Sequence, residues 1–283
     1  MSALSPVAEF AFRFGYLADG FQGYARQPGV PTVEGTIREG LRRRGVLEAE
    51  GERRFRTASR TDRGVHALGN VVSFPTRLRP EAAARALGSI DPRIHCSAFA
   101  PVPPGFDPRH ARERWYRYLL PAEGHDLARW REGASLFEGE HELSSFSRRD
   151  DPPRRTRGTL REVRVGREGA NLVVDLRAPS FLWNQVRKIV ATLELLERGA
   201  RSKAEVDSAL SGRKVLQLPL APPGGLVLMD VAYDFPFQEV RLRASPQRRR
   251  LLEEALREAR TRETLLGWFQ SSTPRPPGDT SEP

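Results

Sequence analysis

In the stretch "EFAFRFGY", Phe10, Phe12, Phe14 and Tyr16 alternate with other residues. A period of two puts all four rings on one side of an extended chain, so the segment must be a strand with one buried face. That strand needs partners, and the following residues supply candidates. In "TVEGTIREGLRRRG", Thr32 is placed to cap a helix whose Val33, Ile37 and Leu41 form one stripe, with Gly45 ending it. "RRFRTASR" and "GNVVSF" read as strands on either side of a turn at Asp62. "PEAAARALGSI" is a second helix opened by Pro80, and "IHCSAFAPV" another strand. "PVPPGFDPRH" then breaks all periodicity, as a domain junction does.

A similar order begins again beyond it. "RERWYRYLL" reads as a strand, "GEHELSSFS" as a short helix around Phe146, and "LREVRVGREGANLVVDLRA" as a hairpin turning at Glu168–Gly169. "SFLWNQVRKIVATLELLERG" is the clearest helix, with Leu182, Val186, Ile189, Val190 and Leu193 at 3.6 spacing, Ser180 as its cap and Gly199 at its end. "GGLVLMDVAY" supplies a closing strand. Neither G-x-G-x-x-G nor a P-loop occurs. The expectation is an α+β protein whose sheets pack on helices: an N-terminal domain over 1–104, a second over 105–236, and an Arg-rich extension over 237–283. That extension reads as a helix from about Pro246 to Trp268 followed by a disordered tail, "SSTPRPPGDTSEP".

Charge narrows the partner. The chain carries 46 Lys and Arg against 36 Asp and Glu, a formal net charge of +10, and its only lysines are Lys188, Lys203 and Lys214. Arginine makes planar, bidentate contacts with phosphate and stacks on bases, so a nucleic-acid partner is expected. Genomic base composition can also raise arginine over lysine, but it does not by itself create a net +10. There is no apolar run of 18 residues, and "MSALSPVAEF" lacks the basic start and apolar core of a signal peptide. With Cys96 alone, no intramolecular disulfide or cysteine zinc cluster can form. A cytoplasmic location without a membrane is the expectation.

Three places could carry chemistry. In "TASRTDRGVH", Asp62 stands between Arg60 and Arg63 with Gly64 next, so the backbone can turn sharply beneath a carboxylate held ionised as a nucleophile or base. A salt-bridged hairpin turn has the same spacing. His66, four residues on, would make a metal pair with Asp62, but the other histidines stand apart and a hydrogen-bonded structural histidine fits as well. In "RERWYRYLL", Arg112, Arg114 and Arg117 interleave with Trp115, Tyr116 and Tyr118, an arrangement suited to a flipped base near phosphates and equally to a core strand. Arg187 sits on the apolar helix, where it needs a carboxylate such as Asp62 or must snorkel to water.

"SRTDRGVHALGNVVSF", "WYRYLL", "GEHELSSF", "SFLWNQVRKIVATL" and "GGLVLMDVAY" occur in the order found in the tRNA pseudouridine synthase family TruA, and "GYARQPGVPTVEG" resembles that family's opening segment. The resemblance spans roughly residues 10 to 235. It implies two RRM-like halves with mixed and antiparallel sheets and an active-site cleft between them. It also implies conversion of uridine to pseudouridine in the tRNA anticodon stem-loop, around positions 38 to 40, by a homodimer without cofactor or metal. On the family pattern Asp62 is the nucleophile, Tyr116 stacks on the target base, Arg187 pairs with the aspartate, Arg60 is the arginine before it, and Leu226 lines the pocket floor. Arg63 and Arg114 are further expected substrate contacts. The chain departs from the pattern at Ser59, Arg63, Trp183 and Asn184, and "YLADGFQG" carries one extra residue. A tRNA-binding protein or tRNA chaperone with the same fold but no activity is the alternative.

Overall fold

The structure is a computed structural model that describes residues 7–148, 156–241 and 244–270, with side chains to 266. Residues 243–283 form a unit separate from 1–242. In the first unit the chain runs β1 (Ala8–Tyr16), α1 (Val33–Arg43), α2 (Ala49–Arg54), β2 (Arg56–Thr57), β3 (His66–Thr76), α3 (Pro80–Gly88) and β4 (Ile94–Pro101). It continues through β5 (Glu113–Pro121), α4 (Leu127–Ser135), β6 (Gly139–Glu142), β7 (Arg157–Leu160), β8 (Glu162–Glu168) and β9 (Asn171–Ala178). It ends with α5 (Gln185–Glu197), α6 (Lys203–Leu210), β10 (Leu226–Ala232) and β11 (Gln238–Glu239); α7 (Pro246–Gln270) belongs to the second unit. The class is α+β, as expected.

One nine-stranded sheet runs through the first unit in the order β11-β4-β1-β3-β10-β5-β9-β8, with β2 added on β3, while β6 and β7 pair apart from it. Every pairing is antiparallel except β10 with β3. The expected closing strand is therefore interior. β10 lies between β3 and β5, with Val227 opposite His66 on one side and Leu228 opposite Tyr116 on the other. No helix among the described residues is long and apolar enough to cross a membrane.

The alternating aromatics of β1 lead into the core. Phe12 stacks on Phe74 of β3 at 4.8 Å between centroids, and Phe74 stacks in turn on Phe55 at 5.8 Å. Thr32 caps α1 by accepting from the Gly35 amide at 3.2 Å, and Val33, Ile37 and Leu41 are buried. A cap of this kind contributes about 1 kcal/mol.

Three expected boundaries move. The strand in "RRFRTASR" shrinks to Arg56–Thr57, because Ala49–Arg54 winds into α2 just before it. The short helix in "GEHELSSFS" is instead the strand β6, paired with β7, followed by a turn that buries Phe146. The third change matters for function: α5 begins at Gln185 and not at Phe181. Asn184 is in the left-handed region at φ +65, and the Gln185 side chain accepts from the Leu182 amide at 2.7 Å. Such a local side-chain bond competes with helix, so residues 181–184 form a turn outside the helix and Ser180 caps nothing. The buried stripe of Val186, Ile189, Val190 and Leu193 is as expected. In the second unit the Arg-rich helix appears as α7, while the tail from 271 lies outside the described residues.

Burial pushes the phenol pKa of all five tyrosines above its usual value: Tyr16, Tyr24, Tyr116, Tyr118 (to about 12) and Tyr233. The folded chain holds these protons after an unfolded chain, titrating near ~10, has lost them. Stability is therefore complete below pH ~10 and falls as pH rises through the folded values. In an alkaline titration, tyrosinate absorbance is expected to appear together with loss of circular dichroism. Tyrosinate forming near pH ~10 in a fully folded protein would overturn this.

Candidate active site

The site starts from the turn between β2 and β3. The Thr61 carbonyl accepts from the Tyr24 amide at 3.1 Å, the Thr61 hydroxyl bonds the Tyr16 hydroxyl at 2.7 Å, and the Val65 amide donates to the Asp62 carbonyl at 3.2 Å. Gly64 reverses the chain at φ +81 against Pro223; a Cβ there would stand 3.1 Å from the proline ring. Gly23, at φ +107, packs on the backbone of Thr61 and Arg63. The turn is thus held from below by β1 and the loop after it, and from the side by the segment leading into β10.

Asp62 projects from this turn into two donors, Trp183 in the turn before α5 and Arg187 in its first turn. Arg187 Nη1 donates to Oδ2 at 3.1 Å, and the Trp183 indole Nε1 donates to Oδ1 at 3.0 Å. Each carboxylate oxygen therefore has its own donor, and the plane of the group is set. Arg187 is itself fixed: its Nε donates to the Ala221 carbonyl at 2.8 Å, and the Ala221 amide returns a bond to the Arg187 carbonyl at 3.2 Å. Arg187 is the cation that reaches Asp62, from 125 positions away in the chain. Arg60 and Arg63 are exposed and make no ion pair with Asp62 among the described residues.

Tyr116 comes from β5, two strands across from β3. Its ring is 7% exposed and meets Phe181 edge-on at 5.1 Å. Burial raises its pKa most, the Asp62 charge raises it further, and the Arg114 charge and a Ser59 hydrogen bond oppose both. The hydroxyl stays protonated at neutral pH, beside Ser59 and within the field of Asp62. Leu226, buried at the head of β10, lies opposite Tyr118, whose hydroxyl donates to the Pro222 carbonyl at 2.8 Å.

Arg114 is buried to 7% exposure, and its donors go to the protein itself. Nε donates to the Ser59 hydroxyl at 3.1 Å, Nη2 to the Ala58 carbonyl at 3.1 Å and the Arg109 carbonyl at 2.8 Å, and Nη1 to the Pro179 carbonyl. It ties the Asp62 turn to β5 and to the end of β9. His66 Nδ1 accepts from the Ala18 amide at 3.1 Å, the structural role open to it in the sequence.

The geometry brings Asp62, Arg187 and Tyr116 to one place and leaves Arg60 and Arg63 as a basic rim. Trp183 was not anticipated as a partner of the aspartate. No helical spacing could have found it, because Trp183 lies outside α5 and the left-handed Asn184 sets its direction.

A family model described as tRNA pseudouridine synthase matches residues 134–234. The tRNA pseudouridine synthase A of Thermococcus kodakarensis is 39% identical over 263 residues, covering 92% of this chain and 98% of that protein. Those of Methanothermobacter thermautotrophicus and Pyrococcus abyssi are 38% and 37% identical, covering 80% and 88% of this chain and 82% and 93% of theirs. Among solved structures, the archaeal box H/ACA sRNP Nop10–Cbf5 complex aligns over 66% of this chain and 43% of that chain, at 11% identity and a TM-score of 0.33, too remote to bear on the site. Identity at this level along nearly the whole of both chains means that this chain belongs to the tRNA pseudouridine synthase A family, whose members are isomerases.

Proposed function

We propose that this chain converts uridine to pseudouridine in the anticodon stem-loop of tRNA, around positions 38 to 40, with Asp62 as nucleophile, working as a cytoplasmic homodimer. The observation that carries the reading is the convergence on one carboxylate of Arg187, 125 positions away, and Trp183, each on its own oxygen, with the buried Tyr116 two strands across the sheet. A surface salt bridge would need neither the buried tyrosine nor the second donor.

The reaction is balanced without an oxidant or reductant. Asp62 attacks the uracil ring or the ribose anomeric carbon, the N1–C1′ bond breaks, the base turns while held, a C5–C1′ bond forms, and the bond to Asp62 breaks to free the carboxylate. The C5 proton leaves for solvent and N1 gains one. Tyr116 and Leu226 hold the base, and Arg187 keeps the carboxylate aimed. Arg60 and Arg63, exposed beside Asp62, meet the flanking phosphates. Arg114 acts through Ser59 and the Asp62 turn. Flipping the uridine costs a few kcal/mol, offset by the pocket and by phosphate contacts that weaken with salt.

The test uses tRNA transcripts tritiated at uridine C5. Label is expected to be released from the natural stem-loop, and lost when the uridines at 38 to 40 are replaced by cytidine. Release that survives the replacement would move the target elsewhere, and tight binding without release would leave a non-catalytic tRNA-binding protein.

A further inference from the structure

Trp183 is the largest side chain beside Asp62, and it is 46% exposed. A tryptophan left this open forgoes much of the stabilisation that burial of its ring would contribute, so its exposure needs a reason. Three features hold it where it is. Its Nε1 donates to Asp62 Oδ1 at 3.0 Å, its carbonyl accepts from the Arg148 amide at 2.8 Å, and the Arg148 guanidinium lies 4.0 Å from the ring centroid. The next residue, Asn184, is the only non-glycine residue among those described with positive φ, and its buried Oδ1 has no hydrogen-bond partner. Backbone in that region is costly for a side-chain-bearing residue and persists where the surroundings require it. Here it swings the chain so that Trp183 and Arg187, on either side of the first helical residues, each take one oxygen of the same carboxylate.

We infer that Trp183 has two roles in the reaction proposed above: its indole N–H positions the Asp62 carboxylate, and its exposed face, with Arg148 beside it, is a stacking platform for an RNA base next to the target uridine. The inference rests on Asp62 being the nucleophile. The first role follows from geometry. With Arg187 alone, the carboxylate is fixed at Oδ2 and free to rotate about that contact, whereas the indole donor fixes Oδ1 as well. The second follows from chemistry. Exposed aromatic rings and planar guanidinium groups are what proteins offer to unpaired bases, and they do so without reading sequence. A base removed from its stack leaves a neighbour with one bare face, and a platform beside the catalytic carboxylate is where that neighbour would be received.

Rate and affinity separate the two roles. Trp183→Phe keeps an aromatic face and deletes the N–H; single-turnover release of C5 tritium is expected to fall about 10- to 100-fold, the value of a hydrogen bond to a charged group, with tRNA affinity held. Trp183→Leu is expected to show the same rate loss and also to bind tRNA about tenfold more weakly or worse. Quenching of tryptophan fluorescence on adding tRNA should be present in the wild type and largely gone in Trp183→Phe. Arg148→Lys, which keeps the charge but not the plane, should bind nearly as weakly as Arg148→Ala; full recovery by lysine would reduce Arg148 to a phosphate contact and overturn the platform. Wild-type rate in Trp183→Phe overturns the positioning role, and wild-type affinity in Trp183→Leu overturns the stacking role. If Asp62→Ala still releases label, the nucleophile reading has failed instead, and the binding and fluorescence outcomes continue to decide the platform.

Discussion

Asp62→Ala is expected to lose C5 tritium release by on the order of 10⁴-fold or more, the scale seen when a nucleophile is removed, while binding tRNA as tightly as the wild type. Binding should not suffer, because the substitution removes a negative charge from a basic surface that meets phosphates. The fold should survive, because the turn is held by the Tyr24 amide on the Thr61 carbonyl, the Thr61 and Tyr16 hydroxyls and the Val65 amide on the Asp62 carbonyl, none of which involves the carboxylate. Parallel loss of binding and release would place Asp62 in RNA docking. Residual release near wild-type rate would end its candidacy as nucleophile.

Arg187 has the second largest expected effect. Arg187→Ala takes the cation from Asp62 and the donor from the Ala221 carbonyl in one step, and the rate should fall about 10²–10³-fold, as when one preorganised donor is removed. Arg187→Lys should recover little. Lysine restores the charge but cannot place one donor on Asp62 and another on Ala221 in fixed relation, as Nη1 and Nε do here. The double variant Asp62→Ala with Arg187→Ala should be no slower than Asp62→Ala alone, since the arginine acts through the aspartate. Additive losses would mean that Arg187 touches the substrate on its own account. Wild-type rate in Arg187→Ala would make the pair a structural one.

Much of this arrangement could be read from local sequence, and the limits follow a physical pattern. The Thr32 cap is a local feature and appears as expected; β1 is a strand as its alternation implies, but Glu9 and Ala11 are buried as well as Phe12 and Phe14, so both of its faces are covered and not one. The box of Ser202 and Glu205 that starts α6, and Asp126 at the start of α4, are local signals of equal strength that went unread. Other features had no local signal. The pairing of β6 with β7 joins residues on either side of 149–155, and pattern alone favours neither helix nor strand for "GEHELSSF". The start of α5 was misplaced because 3.6 spacing runs through Leu182, while the left-handed turn at Asn184 depends on what Trp183 and Gln185 contact. For the site, composition and spacing nominated Asp62, Tyr116 and Arg187 one at a time. Only the family resemblance proposed them as a set, since Arg187 lies 125 residues from the aspartate. The same spacing set Arg60 near Asp62, but the ion pair the carboxylate makes among the described residues is with the distant Arg187.

β10 sets an order of assembly. Asp62 precedes β3 and Tyr116 is on β5, and within the sheet these strands are joined only through residues 226–232. A chain emerging from the ribosome can pair β1 with β3 and β4, and β2 with Val72–Ser73 of β3, early, but β3 is then open at His66–Ala67, and β5 has an open edge when it forms. Neither edge closes until four-fifths of the chain has been synthesised. Pairings this distant in sequence make folding slow and leave strand edges exposed to other chains meanwhile. Truncation before Leu226 would therefore remove more than a pocket wall: it would leave the two carriers of the site on sheets with no strand to join them.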